Sequence, residues 1–178
     1  LSYEDPTPAD NANVSGTQTI NVSSTDAGIG LDTITIFIDG TPVYSCSSSP
    51  CNYTWDTTGC EDGSHEIKVV VFDRAWNRDE DSIGVTVDNT PPGIEIVSPE
   101  KEYLSGVVRI KVNVTENGSG IDYIDFKIKG ESRQNSTKDS YRWNTKSEED
   151  GPGYEIEIVV RDRAGNENST GKVVMVDN

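Results

Sequence analysis

The sequence predicts an all-β protein made of two tandem sandwiches, each of two packed sheets. Three observations carry that expectation. The chain repeats itself at an offset close to 90 residues, its apolar residues arrive in short alternating runs, and no window of eleven or more residues holds a helical period with caps. At 178 residues the chain has the length of two such units.

The repeat begins with SGTQTINVSSTDAGIGLDTITIFIDG at 15–40, which returns as SGVVRIKVNVTENGSGIDYIDFKIKG at 105–130. Ile20 and Val22 return as Ile110 and Val112, and Ile34, Ile36 and Ile38 return as Ile124, Phe126 and Ile128. YTWDT at 53–57 matches YRWNT at 141–145, and the closing Val87-Asp88-Asn89 matches Val176-Asp177-Asn178. The slips of one or two residues fall in Ser-, Gly- and Pro-rich segments, where loops tolerate them. The expected domains are therefore 1–89 and 90–178, joined at Thr90-Pro91-Pro92.

In the first unit, strands are predicted over 17–24, 31–39, 41–46, 51–56, 65–73 and 82–88, separated by turn signals such as Asp39-Gly40, Ser49-Pro50 and Asp62-Gly63. The second unit repeats the pattern at 93–97, 107–115, 121–129, 132–137, 139–144, 153–162 and 171–177. Period-2 alternation turns Ile20, Val22, Ile34, Ile36, Ile38, Trp55, Ile67, Val69 and Val71 inward. The opening LSYEDPTPAD shows no alternation, whereas the second unit opens with the apolar Ile94-Glu95-Ile96-Val97. Together with the closing VDN, this reads as a segment cut at repeat boundaries from a longer array; the alternative is a mature two-domain protein. Neighbouring repeats of the parent chain are then the first expected partners.

The charge balance is 15 basic against 31 acidic residues, a net −16, and it sets nucleic acid and anionic lipid aside as partners. No apolar stretch approaches ~18 residues, so no direct membrane insertion is expected. Seven Asn-x-Ser/Thr sequons occur, at Asn13, Asn21, Asn52, Asn113, Asn117, Asn135 and Asn168. Chance would supply roughly two or three in a chain of this composition. All seven fall on outward strand phases, turns or strand ends, so all are expected to accept glycans. The alternative is a polar β-rich chain dense in Asn and Thr. Cys46 and Cys51 flank Ser47-Ser48-Ser49-Pro50, and a hairpin with that loop would bring them within bonding range. A Cys51–Cys60 bond is the competitor; in the first case Cys60 is unpaired. Disulfide and sequons together indicate an extracellular, secreted or cell-surface location.

The runs SGTQTINVSSTDAGIGLDTITIFIDGTPV and YTWDTTGCEDGSHEIKVVVFDRAWN resemble the bacterial and archaeal immunoglobulin-like domains of secreted and cell-surface proteins. The shared features are a D-G turn after a strand, then Y-x-W-D-T, then D-G-S-H before a strand that ends in D-x-A-G-N. The resemblance covers nearly the whole chain twice and implies two immunoglobulin-like sandwiches. It implies no single activity, since such domains serve as spacers, adhesion modules and companions of proteases and glycoside hydrolases. The first unit departs from the pattern at Trp76, where the second unit has Gly165; the second departs at Asp150-Gly151-Pro152-Gly153, in place of D-G-S-H. The immunoglobulin cysteine pair between facing strands is absent.

No catalytic residue is expected. His65 is the sole histidine, and it lies in Asp62-Gly63-Ser64-His65, which the resemblance makes a strand-entry turn; Gly153 is read as its counterpart. No phosphate-binding glycine motif is present. No cofactor or metal is expected either; the alternative is calcium near Asp73, Asp88 and Asn89, where Asp79 or Asp81 would converge, with a second cluster at Asp26 and Asp32. Val70 and Phe72 occupy the polar phase of their strand and Trp76 follows in the next loop, a candidate contact surface for a surface protein, a glycan or the neighbouring domain. The expected function is a non-catalytic extracellular spacer of stalk or surface-layer type. The alternatives are an adhesion or carbohydrate- or protein-binding module using the Trp76 loop, and accessory domains of a secreted hydrolase.

Overall fold

A computed structural model describes all 178 residues. The chain divides into two compact units, Leu1–Asn89 and Thr90–Asn178. The first contains β1 (Ser2–Glu4), β2 (Ala12–Val14), β3 (Thr17–Ser23), β4 (Leu31–Ile38), β5 (Thr41–Cys46), β6 (Cys51–Asp56), β7 (Gly63–Asp73) and β8 (Arg78–Val87). The second contains β9 (Gly93–Ser98), β10 (Tyr103–Leu104), β11 (Val107–Thr115), β12 (Ile121–Ile128), β13 (Glu131–Ser136), β14 (Ser140–Asn144), β15 (Gly151–Asp162) and β16 (Glu167–Val176).

Each unit packs a three-stranded sheet on a five-stranded one. The orders are β1-β3-β6 and β2-β8-β7-β4-β5 in the first, and β9-β11-β14 and β10-β16-β15-β12-β13 in the second. Alternation explains the layering. Along β4 the even residues Ile34, Ile36 and Ile38 are buried, as are Ile20 and Val22 of β3 and Trp55 of β6. These two inner faces meet as one apolar core with Ile67, Val69, Val71, Val85 and Val87. The second unit builds its core from Ile110, Val112, Ile124, Phe126, Ile128, Trp143, Ile156, Ile158 and Val160. The fold is all-β, with two immunoglobulin-like sandwiches.

Two expectations need correction. The opening LSYEDPTPAD does contribute strands: β1 pairs antiparallel with β3, and β2 lies parallel to β8. Each is three residues long, too short for a period to register, and each is held by partners distant in sequence. The Tyr3 hydroxyl also donates to the carbonyls of Ile67 (3.0 Å) and Asp81 (3.1 Å), tying β1 to the opposite sheet. The second correction concerns Cys46 and Cys51. They are disulfide-bonded, but not across a hairpin. Cys46 ends β5 in the five-stranded sheet and Cys51 begins β6 in the three-stranded sheet. The bond therefore staples the two layers where the chain crosses between them. Cys60 is free and half-buried against the core.

Candidate functional site

The polar residues that look reactive in the sequence are engaged in closing turns. Asp39 and Gly40 both have positive φ (51° and 76°), the geometry of a tight hairpin turn. That turn aims Asp39 at His65, whose Nδ1 lies 2.6 Å from Asp39 Oδ2 while Nε2 lies 2.9 Å from the Glu61 carbonyl. Both partners are acceptors, and only the imidazolium can donate from both nitrogens. Burial works against the charged ring, but these two hydrogen bonds win and hold the His65 pKa above the ordinary imidazole value. Burial likewise pushes the Asp39 carboxyl up, and the Glu66 N–H and His65 outweigh it, leaving the pKa below the usual carboxylate value.

Register shows that the counterpart of His65 is Tyr154, not Gly153. His65 faces Val85 and Tyr154 faces Val174, while a register shift between Gly151 and Tyr154 displaces the residues before it. Asp39 is matched by Lys129, also at positive φ, whose ammonium sits 3.6 Å from the centre of the Tyr154 ring. The same turn-to-strand contact is thus made by an ion pair in one unit and by a cation–π contact in the other. A pH dependence follows for the first. The raised pKa makes the His65 contribution complete below the unfolded imidazole value and lost as pH rises through the folded one. The lowered Asp39 pKa sets the acid limit, where the contribution disappears as pH falls. Melting temperature should therefore decline as pH rises above the ordinary imidazole value of about 6.5, and His65→Asn should flatten that decline. Superimposable profiles for the two proteins would refute the pairing.

Asp73 is not brought together with Asp88 and Asn89. Asp73 precedes the ten-residue β8 and Asn89 follows it, so they lie at opposite ends of the sandwich; Asp79 and Asp81 stay near the Asp73 end, facing Val71 and Val69. Asp73 closes its own loop, accepting from the Ala75 and Asn77 N–H groups (2.7 and 2.9 Å) and from Asn77 Nδ2 (2.7 Å). Asn89 accepts from the Gly16 N–H and the Thr57 hydroxyl, both at 3.0 Å, and donates to the Thr57 carbonyl at 2.9 Å. Asp88 is buried. Asp26 accepts from the Gly30 N–H (2.6 Å), and Asp32 from the Thr33 hydroxyl (2.9 Å).

Of the candidate contact residues, Val70 is buried. It lies on β7, the middle strand of five, flanked in register by Thr35 and Glu80. Phe72 is half-buried, and Trp76 is 77% exposed with its ring edge-on to Phe72 at 6.2 Å. Trp76 has φ +66°, where its counterpart Gly165 has φ +99°. Holding a non-glycine residue there costs roughly 1–2 kcal/mol. The Arg74 N–H donates to the Gly30 carbonyl at 3.1 Å, which joins this loop to the one bearing Ile29, 55% exposed. Sequence reading missed Ile29, although its repeat counterpart, Ser119, differs as sharply as Gly165 does from Trp76. Beside the two loops is a hollow of about 160 Å³ lined by Ser24, Asp26, Leu31, Asp73, Asn77 and Asp79.

A second exposed apolar group, also missed, belongs to the other unit: Val97, Tyr103, Val107 and Val173 beside a shallow depression of about 430 Å³. The matching positions in the first unit are Asn13 for Tyr103, Thr17 for Val107 and Gly84 for Val173.

The sequons differ in access. Asn52, Asn113, Asn117, Asn135 and Asn168 are exposed and Asn13 is half-buried. Asn168 Nδ2 is donated to the Pro92 carbonyl at 2.9 Å. Asn21 departs from expectation, because the segment after β1 covers it. Its Nδ2 donates to the Asp5 carbonyl at 3.1 Å and its Oδ1 is buried without a partner.

Comparison with known proteins adds a family likeness. Residues 6–69 match the family model described as a bacterial Ig domain. Over those residues the first unit is similar to a bacterial immunoglobulin-like domain. The second repeats the strand order of this immunoglobulin-like domain, and no curated protein matches the chain. Among solved structures, the fibronectin(III)-like modules of Clostridium thermocellum CbhA superpose with TM-score 0.62 at 16% identity, over 98% of this chain and 92% of theirs. Three N-terminal domains of the bacteriophage RB49 highly immunogenic outer capsid protein give TM-score 0.43 at 15% identity, over 94% and 56% of the two chains. A 1.5-MDa bacterial ice-binding adhesin gives 0.43 at 15%, over 95% and 61%. At such identity the CbhA likeness establishes the sandwich fold alone.

Proposed function

We propose that the chain is a non-catalytic spacer of an extracellular surface protein, carrying tension between the repeats of its parent. One observation supports this above others. In both units the short entry strand lies parallel to the exit strand: β2 against β8, with Ala12, Asn13 and Val14 facing Val85, Thr86 and Val87, and β10 against β16. Tension along the chain draws β2 backward and β8 forward, so the hydrogen bonds between them are sheared together rather than opened one at a time. Flanking bonds extend the clamp: Asn11 N–H to Gly84 O (2.7 Å) and Asp88 N–H to Val14 O (3.0 Å) in one unit, Met175 N–H to Glu102 O (2.7 Å) and Asp177 N–H to Leu104 O (3.0 Å) in the other.

The disulfide fits an oxidising compartment. No helix is long and apolar enough to cross a membrane. The net −16 would keep neighbouring copies apart. Single-molecule stretching tests the reading. Pulling the chain by its ends should unfold the first unit at several-fold higher force than pulling through attachment points at Gly40 and Thr90, which peel β8 away from one end. Equal forces in the two geometries would end it. Glycans belong to the same reading. Asn52, Asn113, Asn117 and Asn135, exposed, are the preferred acceptors, and Asn21 is not one. Mass spectrometry after expression in a glycosylating host should find these four occupied; a glycan on Asn21 would contradict the assignment.

A further inference from the structure

We infer that the loop end of the first unit carrying Ile29 and Trp76 is a docking surface for a basic polypeptide segment, one that presents Arg or Lys side chains. The inference goes beyond the spacer reading and does not depend on it. The scaffold of this end is common to both units. The Arg74 N–H donates to the Gly30 carbonyl at 3.1 Å, and the Arg163 N–H donates to the Gly120 carbonyl at 2.9 Å. Asp73 and Asp162 close their loops with the same pattern of bonds to Asn77 and Asn166. On that shared frame the second unit carries Ser119 and Gly165, and the Ser119 hydroxyl accepts from the Ala164 N–H at 3.1 Å. The first unit instead exposes Ile29 and Trp76, with Trp76 at a backbone angle that glycine accommodates freely. The fold needs neither apolar side chain. Both stand where loops of a sandwich are free to meet another molecule.

Charge selects the occupant. The first unit holds 15 acidic and 3 basic residues, whereas the second holds 16 and 12. Of the three cations, Lys68 and Arg78 both pair with Glu80, leaving Arg74. Asp26, Asp73 and Asp79 line the hollow beside the Trp76 loop, with Arg78, itself paired to Glu80, as its one basic side chain. An exposed indole on a loop beside an acidic hollow attracts a guanidinium or ammonium through both its face and its surroundings. A neutral sugar would gain from the indole but not from the excess negative charge.

Calorimetric titration of the intact chain with a nona-arginine peptide at low salt tests this, with the Ile29→Ser/Trp76→Gly variant as the control. That variant installs the side chains the second unit carries, so its melting profile should show a folded protein. Binding to the parent chain is expected, weakened at least about tenfold in the variant. It should also weaken in Asp26→Asn/Asp79→Asn and with added salt. Equal affinity in parent and double variant would reduce the attraction to undirected charge and overturn the inference. Absence of peptide binding would overturn it, as would Trp76-dependent binding of a neutral gluco-oligosaccharide in its place.

Discussion

Trp55→Ala should cost the first unit about 3–5 kcal/mol, a large share of the stability of a small domain. Trp55 is 4% exposed, at the centre of the core that joins β3, β4 and β7, with His65 edge-on at 6.0 Å. Removing the indole deletes apolar contacts to both sheets at once, and close-packed neighbours on antiparallel strands relax only partly into the space. Denaturant midpoints give the size of the effect, and amide exchange over Thr17–Ser23 and Cys51–Asp56 gives its place. A loss below about 1 kcal/mol would mean that the layers are not held through this side chain. The matching Trp143 in the second unit also donates its indole N–H to Glu148 at 3.1 Å. Trp143→Phe therefore removes a hydrogen bond and some packing, where Trp143→Ala removes both entirely.

Asn89→Ala should destabilise the same unit by about 1–3 kcal/mol although it deletes only a small polar group. The carboxamide satisfies the Gly16 N–H, the Thr57 hydroxyl and the Thr57 carbonyl, and Thr57 is fully buried. The substitution leaves the Gly16 N–H without its acceptor, while the Thr57 hydroxyl keeps the Gly16 carbonyl at 2.8 Å and the Thr57 carbonyl keeps the Cys60 N–H at 2.9 Å. Asn178 makes the same set in the second unit, to Thr145 Oγ1 (2.7 Å) and Thr145 O (2.9 Å), with a longer contact from the Gly106 N–H (3.4 Å). Asn178→Ala is thus the internal replicate, and denaturant midpoints of both variants measure the lock. Effects under about 0.5 kcal/mol in both would show that water replaces the amide without loss.

These two networks explain why short motifs repeat in the chain. The W-D-T and W-N-T tripeptides supply a core indole, a carboxylate or amide that caps a short 3₁₀ turn, and a threonine that meets the terminal Asn. The D-x-A-x-N pattern is a loop closed on its own Asp. Sequence reading found these residues as a pattern and treated Asp73 and Asn89 as candidate ligands for calcium. Their hydrogen bonds show that they spend their polar groups on the fold. Trp76 was legible as a surface candidate because a repeat offers its own control, with Gly165 at the matching place. Ile29 opposite Ser119 carried the same information.

Strand limits and inward faces could be read from the chain because alternation is a local property: side chains two apart share a face whatever the strand pairs with. That is why Ile34, Ile36 and Ile38 were assigned to the core correctly, and why the repeat predicted two sandwiches. Pairing between distant strands is a different matter. The assignment of β5 and β6 to opposite sheets, the capture of β1 and β2, the burial of Val70 and of the Asn21 Oδ1, and the match of His65 with Tyr154 all depend on which segments become neighbours. Closure of the sandwich sets those neighbours, since backbone groups and apolar faces far apart in the chain must find partners together.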